Sequence, residues 1–437
     1  MALIHHLSSP AMLSELDLFG VPPTQLSAER GYEIEHRPVS NLSSSTPIEF
    51  VITSSHDEYI MFSESYLMLK FQLTNVVKRH ENDNDTSDLW PSINFTNNLL
   101  GSMFDSCKIT IGNKEITFSA GNYAWRSYLE TILGYGHESK LSFLSACGYF
   151  DSALGVDKFK DSYTPLVGQD RTKSRVITLL GKLNTDLTFQ ERAVIGGVDI
   201  RLHLSPNEPK FYVKSTRLIN YDVDFLSCSF FTYRIKASPE LVQAHSKALM
   251  VSPMKYPITR TEVKYISVPA GLSDANLDNV IIGQLPRRVI FGMVKSEAFH
   301  GNTNKDPFQF DNFGVRYLSL NADGVHYPSK PYTPNFETND YLREYYGLFQ
   351  ALNQNVTYST VTLDRFQYKD GKTLFAFNLT PDLSSGGQHL NPIRRGALNL
   401  ALKFDTPLQQ AIVVIAFCEF DNLIQIARDR TVGTDYI

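Results

Sequence analysis

The sequence is poor in cysteine, and the cysteines that it has are not arranged for chemistry. There are 4 Cys in 437 residues, and none forms a CxxC pair. This spacing disfavours a zinc ribbon, a redox dithiol and a disulfide-rich scaffold. Cys107, Cys228 and Cys418 lie inside apolar, strand-like runs. We therefore expect buried free thiols in a reducing compartment.

Long apolar runs are also missing. No stretch approaches the roughly 18 consecutive apolar residues that a membrane-spanning helix needs. The first residues, MALIHHLSSPAMLSELDLF, lack the basic region and the long apolar core of a secretory signal. We therefore expect a protein that is made in the cytoplasm or nucleus of a cell and is not secreted by a signal peptide.

Clustered positive charge is scarce as well. The net charge is −5, and residues 1–45 contain more carboxylates than Lys and Arg side chains. Phosphate binding depends on Lys and Arg, so direct binding to nucleic acid is not expected. Small basic clusters such as Arg287-Arg288 are interpreted as solvated or inter-subunit contacts.

Patterns that resemble catalytic or ligand-binding motifs are incomplete. Gly371-Lys-Thr373 resembles the end of a phosphate-binding loop, but Phe366 stands where the first glycine is required, so a hairpin turn is predicted. His5-His6 has no spaced Cys or His partners. Asp57-Glu58 is interpreted as a pair of loop charges. The sequence therefore predicts no catalytic residue, no metal site and no cofactor.

What the sequence has in abundance is aromatic and β-branched side chains, with 28 Phe and 22 Tyr. Such residues suit the pleated, half-buried surface of a sheet, so an all-β chain is favoured. A single hydrophobic core stops growing at roughly 250–300 residues. The length therefore predicts two domains.

The same order of elements is predicted twice: strand, strand, hairpin, helix, strand, strand and a nearly apolar strand. The hairpins turn at Gly112-Asn113 and Asp323-Gly324, whose residues tolerate positive φ. The helices follow, with apolar residues at helical spacing. The two helices are predicted at residues 125–133 and 342–352. The two apolar strands are predicted at residues 223–235 and 412–420. The repeated order indicates a duplicated architecture.

Many short strands with few helices are typical of a β-sandwich. The pattern alone leaves a jelly roll and an immunoglobulin-type sandwich open, but the long helix-bearing excursions favour the jelly roll. We predict an all-β chain of two tandem eight-stranded jelly-roll β-sandwiches, each with a short helix in a connecting loop. The predicted divisions are residues 1–45 (N-terminal arm), 46–237 (first jelly roll), 238–257 (linker helix), 258–427 (second jelly roll) and 428–437 (C-terminal tail).

Several segments, spread over nearly the whole chain, resemble a known family. They are Glu15–Gln25, Pro47–Phe50 with Asp57–Tyr59, Tyr123–Thr131, Gly283–Val289, Pro328–Lys330, Thr373–Asp382 and Glu419–Ile426. In this order they make the chain resemble the major capsid proteins of Polinton (Maverick) elements and of adintoviruses. Those proteins are relatives of the hexon-like double-jelly-roll capsid proteins of double-stranded DNA viruses.

The resemblance implies a structural role without enzymatic activity. It implies that each subunit stands two jelly rolls side by side and that three subunits form a pseudo-hexagonal capsomer. These homotrimers would tile an icosahedral shell around a double-stranded DNA genome, which places the protein in the virion. The implied partners are copies of the chain, neighbouring capsomers and a single-jelly-roll vertex (penton) protein.

The N-terminal arm is apolar although it lies outside both predicted sandwiches. We hypothesise that it is an assembly arm under the capsomer, with a disordered tail as the alternative. Its candidate contact residues are Leu3, Ile4, Leu7, Leu16, Leu18 and Phe19. For the whole chain, the alternative function is a jelly-roll carbohydrate-binding or adhesion module.

Overall fold

A computed structural model describes residues 7–8, 11–78, 93–119, 121–151, 176–355, 361–387 and 389–436. Its strands are β1 Ala28–His36, β2 Ile48–Ile52, β3 Glu58–Lys78, β4 Ile93–Phe95, β5 Phe104–Ile111, β6 Lys114–Ser119, β7 Val176–Gly181, β8 Ile200–Pro206, β9 Val213–Ser215, β10 Ile219–Ala237, β11 Met254–Val268, β12 Asp274–Gln284, β13 Arg288–Lys295, β14 Val315–Ala322, β15 Val325–Tyr332, β16 Leu374–Asn378, β17 Arg395–Phe404, β18 Ile412–Ile426 and β19 Val432–Thr434.

Helices connect some of these strands. They are α1 Leu99–Ser102, α2 Tyr123–Gly134, α3 His137–Leu141, α4 Pro209–Tyr212, α5 Pro239–Ala248, α6 Ser296–Phe299, α7 Leu342–Ala351 and α8 Arg365–Lys369, with short 3-10 helices at Ser14–Leu16 and Phe143–Cys147. Helices α2 and α7 each follow a hairpin, at the same place in each half of the chain. This confirms the predicted helix in a connecting loop of each sandwich.

Four antiparallel sheets form two sandwiches. The first sandwich has sheets β1-β10-β3-β7 and β2-β8-β5-β6, and the second has β11-β18-β13-β16 and β12-β17-β14-β15. The strand order of the second sandwich repeats that of the first, and in both sandwiches the first strand pairs with the last. Eight strands in two four-stranded sheets that are wound in this way form a jelly roll. The predicted double jelly roll is confirmed.

The hairpins fix the register of the duplicated unit. The β5–β6 hairpin closes between Ile111 and Lys114 around Gly112, whose φ is +57°. The β14–β15 hairpin turns at Asp323 and Gly324, with φ of +51° and +84°. Only a left-handed backbone closes such short loops without splaying the strands, and glycine and aspartate adopt it most easily.

Inward-facing apolar residues build the two cores. In β2, Ile48, Phe50 and Ile52 are fully buried and alternate with partly exposed neighbours. Strand β18 differs, because every residue from Ile412 to Asn422 is buried. A sandwich strand of this kind must be covered on its outer face too. The cover is α2, which belongs to the first jelly roll.

Aromatic rings on α2 pack directly against the second jelly roll. The ring of Tyr128 stacks on that of Phe308 with centroids 4.1 Å apart, and Trp125 stacks on Phe299 at 5.4 Å. Phe310 completes the cluster and is fully buried. Aromatic pairs of this kind dominate the energetics of packed interfaces. The two jelly rolls therefore share one hydrophobic interface.

A buried ion pair lies beside this cluster. Arg126 on α2 donates to Asp186 Oδ1 at 2.6 Å and to Glu130 at 2.9 Å. Asp186 also accepts from the Thr117 hydroxyl at 3.0 Å and from the backbone N–H of Thr261 in the second jelly roll at 3.1 Å. Buried charges are tolerated when they are paired and hydrogen-bonded, as this pair is.

Some strand bounds differ from the predicted divisions of the chain. Residues 28–36 of the predicted arm form β1, which pairs with β10. Strand β11 already begins at Met254 within the predicted linker, and β19 in the predicted tail pairs with β18. The predicted linker does contain α5, capped by Ser238, which accepts from Leu241 N at 3.4 Å. The segment outside the sheets is therefore shorter than residues 1–45, while the domain limits themselves stay a prediction.

Replacing Trp125 with alanine should destabilise the contact between the jelly rolls. Trp125→Ala removes a buried ring that contacts Phe299, Phe308 and Phe310, so we expect a loss of about 3–5 kcal/mol in the free energy of unfolding. Urea unfolding followed by fluorescence and circular dichroism measures it. Phe366→Ala, at a ring that is 66% exposed, is the control and should cost less than about 0.5 kcal/mol. Equal losses would contradict the packing role.

Candidate assembly surfaces

The N-terminal segment from residue 11 to residue 27 contains a single short 3-10 helix and no strand. Four of the predicted contact residues are described, and all are exposed: Leu7 (79%), Leu16 (60%), Leu18 (77%) and Phe19 (96%). Leu3 and Ile4 lie outside the described residues. An apolar segment this exposed is typical of an interaction site, so the assembly role stays a prediction.

The N-terminal segment leads directly into β1, which polar contacts hold on its sheet. The Tyr32 hydroxyl on β1 donates to the carboxylate of Glu58 on β3, which also accepts from Arg234 Nη1 on β10 at 2.9 Å. The hydrogen bond from Tyr32, with further bonds from Ser55 and Arg234, lowers the pKa of Glu58 to about 2. Glu58 is thus a half-buried member of an ion pair and not the loop charge that the sequence predicted. These bonds hold β1 on its sheet.

A cavity of about 590 Å³ lies where β1 begins. Ser27 lines it beside Tyr59, Leu241 and Tyr256, and Tyr59 Oη lies 2.8 Å from His245 Nδ1. The walls come from the linker helix and from both jelly rolls. The cavity is mainly apolar, so an apolar segment is a better occupant than a charged ligand.

The outer face of the first β1-β10-β3-β7 sheet carries a partly exposed apolar surface. Tyr66 on β3 and Phe231 on β10 stack with centroids 4.9 Å apart. Leu180 on the neighbouring β7 is 40% exposed, and Met68 beside it is half-buried. Their inward-facing neighbours Leu67, Leu69, Leu179 and Phe230 are buried. We call this surface, Tyr66, Met68, Leu180 and Phe231, the open sheet face.

Helix α7 carries a second exposed apolar surface. Its buried side faces its own jelly roll through Gly347, Leu348 and Ala351. On the other side Leu342 is 50% and Tyr346 is 56% exposed. The half-buried Tyr345 and Phe349 flank them. We call this set, Leu342, Tyr345, Tyr346 and Phe349, the open helix face.

The arginine pair that looked solvated is buried in the fold. Arg287 donates to Asp421, and Arg288 lies 2.7 Å from Glu419 Oε2, with side chains only 13% and 14% exposed. The expectation of solvated or inter-subunit contacts is therefore wrong for this pair. Their partners come from β18, which follows more than 130 residues later in the chain. These ion pairs stabilise the outer face of the second sandwich.

The remaining motif-like patterns are structural. Gly371, with φ of +94°, turns the chain from α8 into β16, so it is a helix-to-strand turn and not the predicted hairpin. Within the described ranges, no three His, Cys, Asp or Glu side chains converge as a metal site would need. The His5-His6 pair lies outside those ranges. No helix among the described residues is long and apolar enough to cross a membrane.

All four cysteines are buried free thiols, as predicted. Burial raises the pKa of Cys107, Cys147 and Cys228 to about 12 and that of Cys418 still further. Since the thiolate is the reactive form, these side chains are inert near neutral pH.

Comparison with known proteins identifies relatives of the fold. A chain in the cryo-EM structure of the Sputnik virophage is similar over 99% of this chain and 94% of its own length, with a TM-score of 0.66 and 10% identity. The faustovirus major capsid protein (TM-score 0.55, 8% identity, 94% and 92% covered) and the mavirus major capsid protein (0.54, 10%, 100% and 96%) are also similar. These identities establish a shared fold.

Sequence comparison gives one curated relative. An uncharacterized protein of Caenorhabditis elegans is 24% identical over 396 residues, which cover 87% of this chain and 91% of the relative. No protein-family model matches the chain. The similarity spans both jelly rolls, so the relative has the length of a double unit.

Because the cysteines are buried, their thiols should not react with thiol reagents in the folded protein. At roughly pH 8 the folded protein should not react with Ellman's reagent within minutes, because burial keeps the thiols protonated and inaccessible. In guanidinium chloride all four should react. Ser246→Cys, at an exposed position of α5, is the positive control and should give one fast-reacting thiol. A fast native thiol in the unmodified chain would contradict the burial.

Proposed function

We propose that this chain is the major capsid protein of a double-stranded DNA virus or virus-like element. The observation that carries the proposal is the duplicated jelly roll with identical strand order in both halves. It extends over nearly the full length of the chain and of the faustovirus and mavirus major capsid proteins. This architecture and the exposed apolar surfaces support the proposal.

The proposed building block is a homotrimer that forms a pseudo-hexagonal capsomer, and capsomers tile an icosahedral shell. Two jelly rolls per chain give six per trimer, which suits a hexagonal lattice. The open sheet face and the open helix face supply apolar area for such contacts. Neighbouring capsomers and a single-jelly-roll vertex protein are the further proposed partners, and the virion is the proposed location.

A structural role without catalysis agrees with how the chain uses its buried charges. Arg126 pairs with Asp186, Arg234 with Glu58, and Arg287 with Asp421. Each of these pairs joins strands or jelly rolls within the fold.

We propose an affiliation with Polinton elements and adintoviruses within these capsid proteins. The segments quoted above support it. The nematode relative supports it too, since it places a protein of this length in an animal.

Purified protein should be a trimer that forms shells. Light scattering on a size-exclusion column should give about 148 kDa, three times the 49.4 kDa of one chain. Negative-stain electron microscopy of concentrated protein should show closed particles or hexagonal sheets. A stable monomer that is retained on a carbohydrate column would support the adhesion alternative and contradict the capsid role.

Removing the N-terminal segment should prevent shell formation and leave trimer formation intact. Deleting residues 1–24 leaves β1 and the cavity residue Ser27 intact, so we expect soluble trimers that no longer form shells. Light scattering and electron microscopy check both levels. A second variant keeps the full chain and replaces Leu16, Leu18 and Phe19 with serine. It should show the same loss of shell formation. Normal shells from the truncated chain would refute the assembly arm.

A further inference from the structure

A pocket of about 250 Å³ lies in the first jelly roll, between α2, the 3-10 helix Phe143–Cys147 and the end of β7. Its inner walls are the side chains of Leu100, Leu144 and Leu183, which are 2%, 7% and 2% exposed. Apolar cavities of this kind exclude water and take up apolar molecules. The lining of the pocket therefore favours a ligand with an apolar body.

The polar groups at the inner end of the pocket bond to one another. Asn98 Nδ2 donates to Ser127 Oγ at 2.9 Å, and Ser127 Oγ donates to Asn184 Oδ1 at 2.8 Å. The backbone N–H of Asn184 donates to Tyr123 Oη at 3.0 Å. Because these buried groups already have partners, the inner part of a ligand needs no polar group.

The mouth of the pocket combines exposed apolar side chains with one cation. Phe143, Leu180 and Phe189 at the mouth are 58%, 40% and 45% exposed. Lys182 is the one charged side chain among the described residues that line the pocket. Its Nζ lies 4.9 Å from the centre of the Phe189 ring. The ammonium group therefore stands at the entrance, beside the open sheet face.

Lys182 is suited to binding a carboxylate. Burial lowers the pKa of its ammonium group, and the exposed Glu64 is the charged side chain that opposes this effect. No ion pair within 4.0 Å joins Lys182 to a carboxylate of the described residues. An anionic group brought close to a half-buried ammonium favours its charged form. A ligand with an anionic end would thus find its partner at the mouth.

A neighbouring cavity of about 480 Å³ lies between the two jelly rolls and shares Lys182 with the pocket. Its lining includes the side chains of two ion pairs, Arg126 with Glu130 and Arg288 with Glu419. An alkyl chain placed there would remove these charges from water, which is costly. The pocket in the first jelly roll is therefore the better place for an alkyl chain.

We propose that the pocket binds an unbranched aliphatic monocarboxylate of about ten carbon atoms, with its chain in the apolar interior and its carboxylate on Lys182. The length follows from proportion, since an apolar cavity of roughly 150 Å³ holds benzene, which has six carbon atoms. The ligand class is therefore a medium-chain fatty acid. All the lining residues belong to one chain, so the site is complete in a single subunit and does not depend on assembly.

Titration calorimetry of the full-length chain with saturated monocarboxylates tests the site. Decanoate should bind to one site per chain. From hexanoate through octanoate to decanoate the affinity should rise about fourfold for each CH₂ that the pocket buries. Tetradecanoate should gain nothing more, because its chain is longer than the pocket. Solvent extraction and mass spectrometry come first, and a fatty acid found in the extract supports the proposal and is removed on an apolar resin before titration.

Variants at the mouth separate the carboxylate contact from the apolar contact. Lys182→Gln should weaken decanoate binding about fivefold and leave decanol binding unchanged. Lys403→Gln is the matched control and should change neither, because its ammonium group also lies over a ring, 5.7 Å from the centre of Tyr317, but in the second jelly roll. Ala146→Trp, at an exposed position that lines the pocket, should abolish the binding of both ligands by filling the mouth. Ala146→Phe is used if circular dichroism shows that Ala146→Trp does not fold.

Three results would overturn the proposal. The first is a chain that gives no saturable heat with decanoate and releases no fatty acid on extraction. The second is equal affinity for decanoate and decanol, or normal decanoate binding by Lys182→Gln. The third is uptake of many decanoate molecules per chain that Ala146→Trp does not reduce, which is detergent-like binding. None of these results bears on the capsid role, so the two proposals fail separately.

Discussion

Helix α2 lies between the two sandwiches, and the rest of the molecule depends on how its sides are covered. Trp125 and Tyr128 meet the aromatic rings of the second jelly roll, while Arg126 pairs with Asp186. Asp186 in turn accepts the backbone N–H of Thr261. A charge in an apolar interior needs all its partners in place, so this network tolerates little relative movement of the jelly rolls. The pair of sandwiches therefore behaves as one packed body.

Elements with an inward apolar alternation could be predicted from the sequence. Ile48, Phe50 and Ile52 alternate, and the hairpins at Gly112 and Asp323-Gly324 have the residues that tight turns require. Those local signals, repeated in order, predicted both jelly rolls and the helix in each. Local pattern sufficed because each element agrees with the global fold.

The features that could not be predicted from the sequence depend on long-range contacts in the tertiary structure. Strand β1 has no fully buried residue, so its alternation has weak contrast. Strand β12 is interrupted between Leu277 and Ile281, where Asn279 has a φ of +57°, and the period of two is lost. Arg287 and Arg288 looked like surface charges because their acidic partners on β18 are distant in sequence. The two open faces also became visible only when burial could be compared between equivalent elements.

The duplication gives each chain two similar but unequal units. One contact between helix and sheet is satisfied within the chain, where both surfaces are linked covalently and meet at high effective concentration. The equivalent helix α7 keeps exposed apolar side chains on its outer side. The difference in burial between α2 and α7 thus shows which of the two helices is packed on both sides within the chain.

The burial of all four thiols has a consequence for the redox environments that the folded chain can tolerate. Inside a cell, glutathione keeps thiols reduced, whereas the extracellular medium favours their oxidation. Cys107, Cys147, Cys228 and Cys418 are shielded from both. The folded chain can therefore pass from one environment to the other with its covalent structure unchanged.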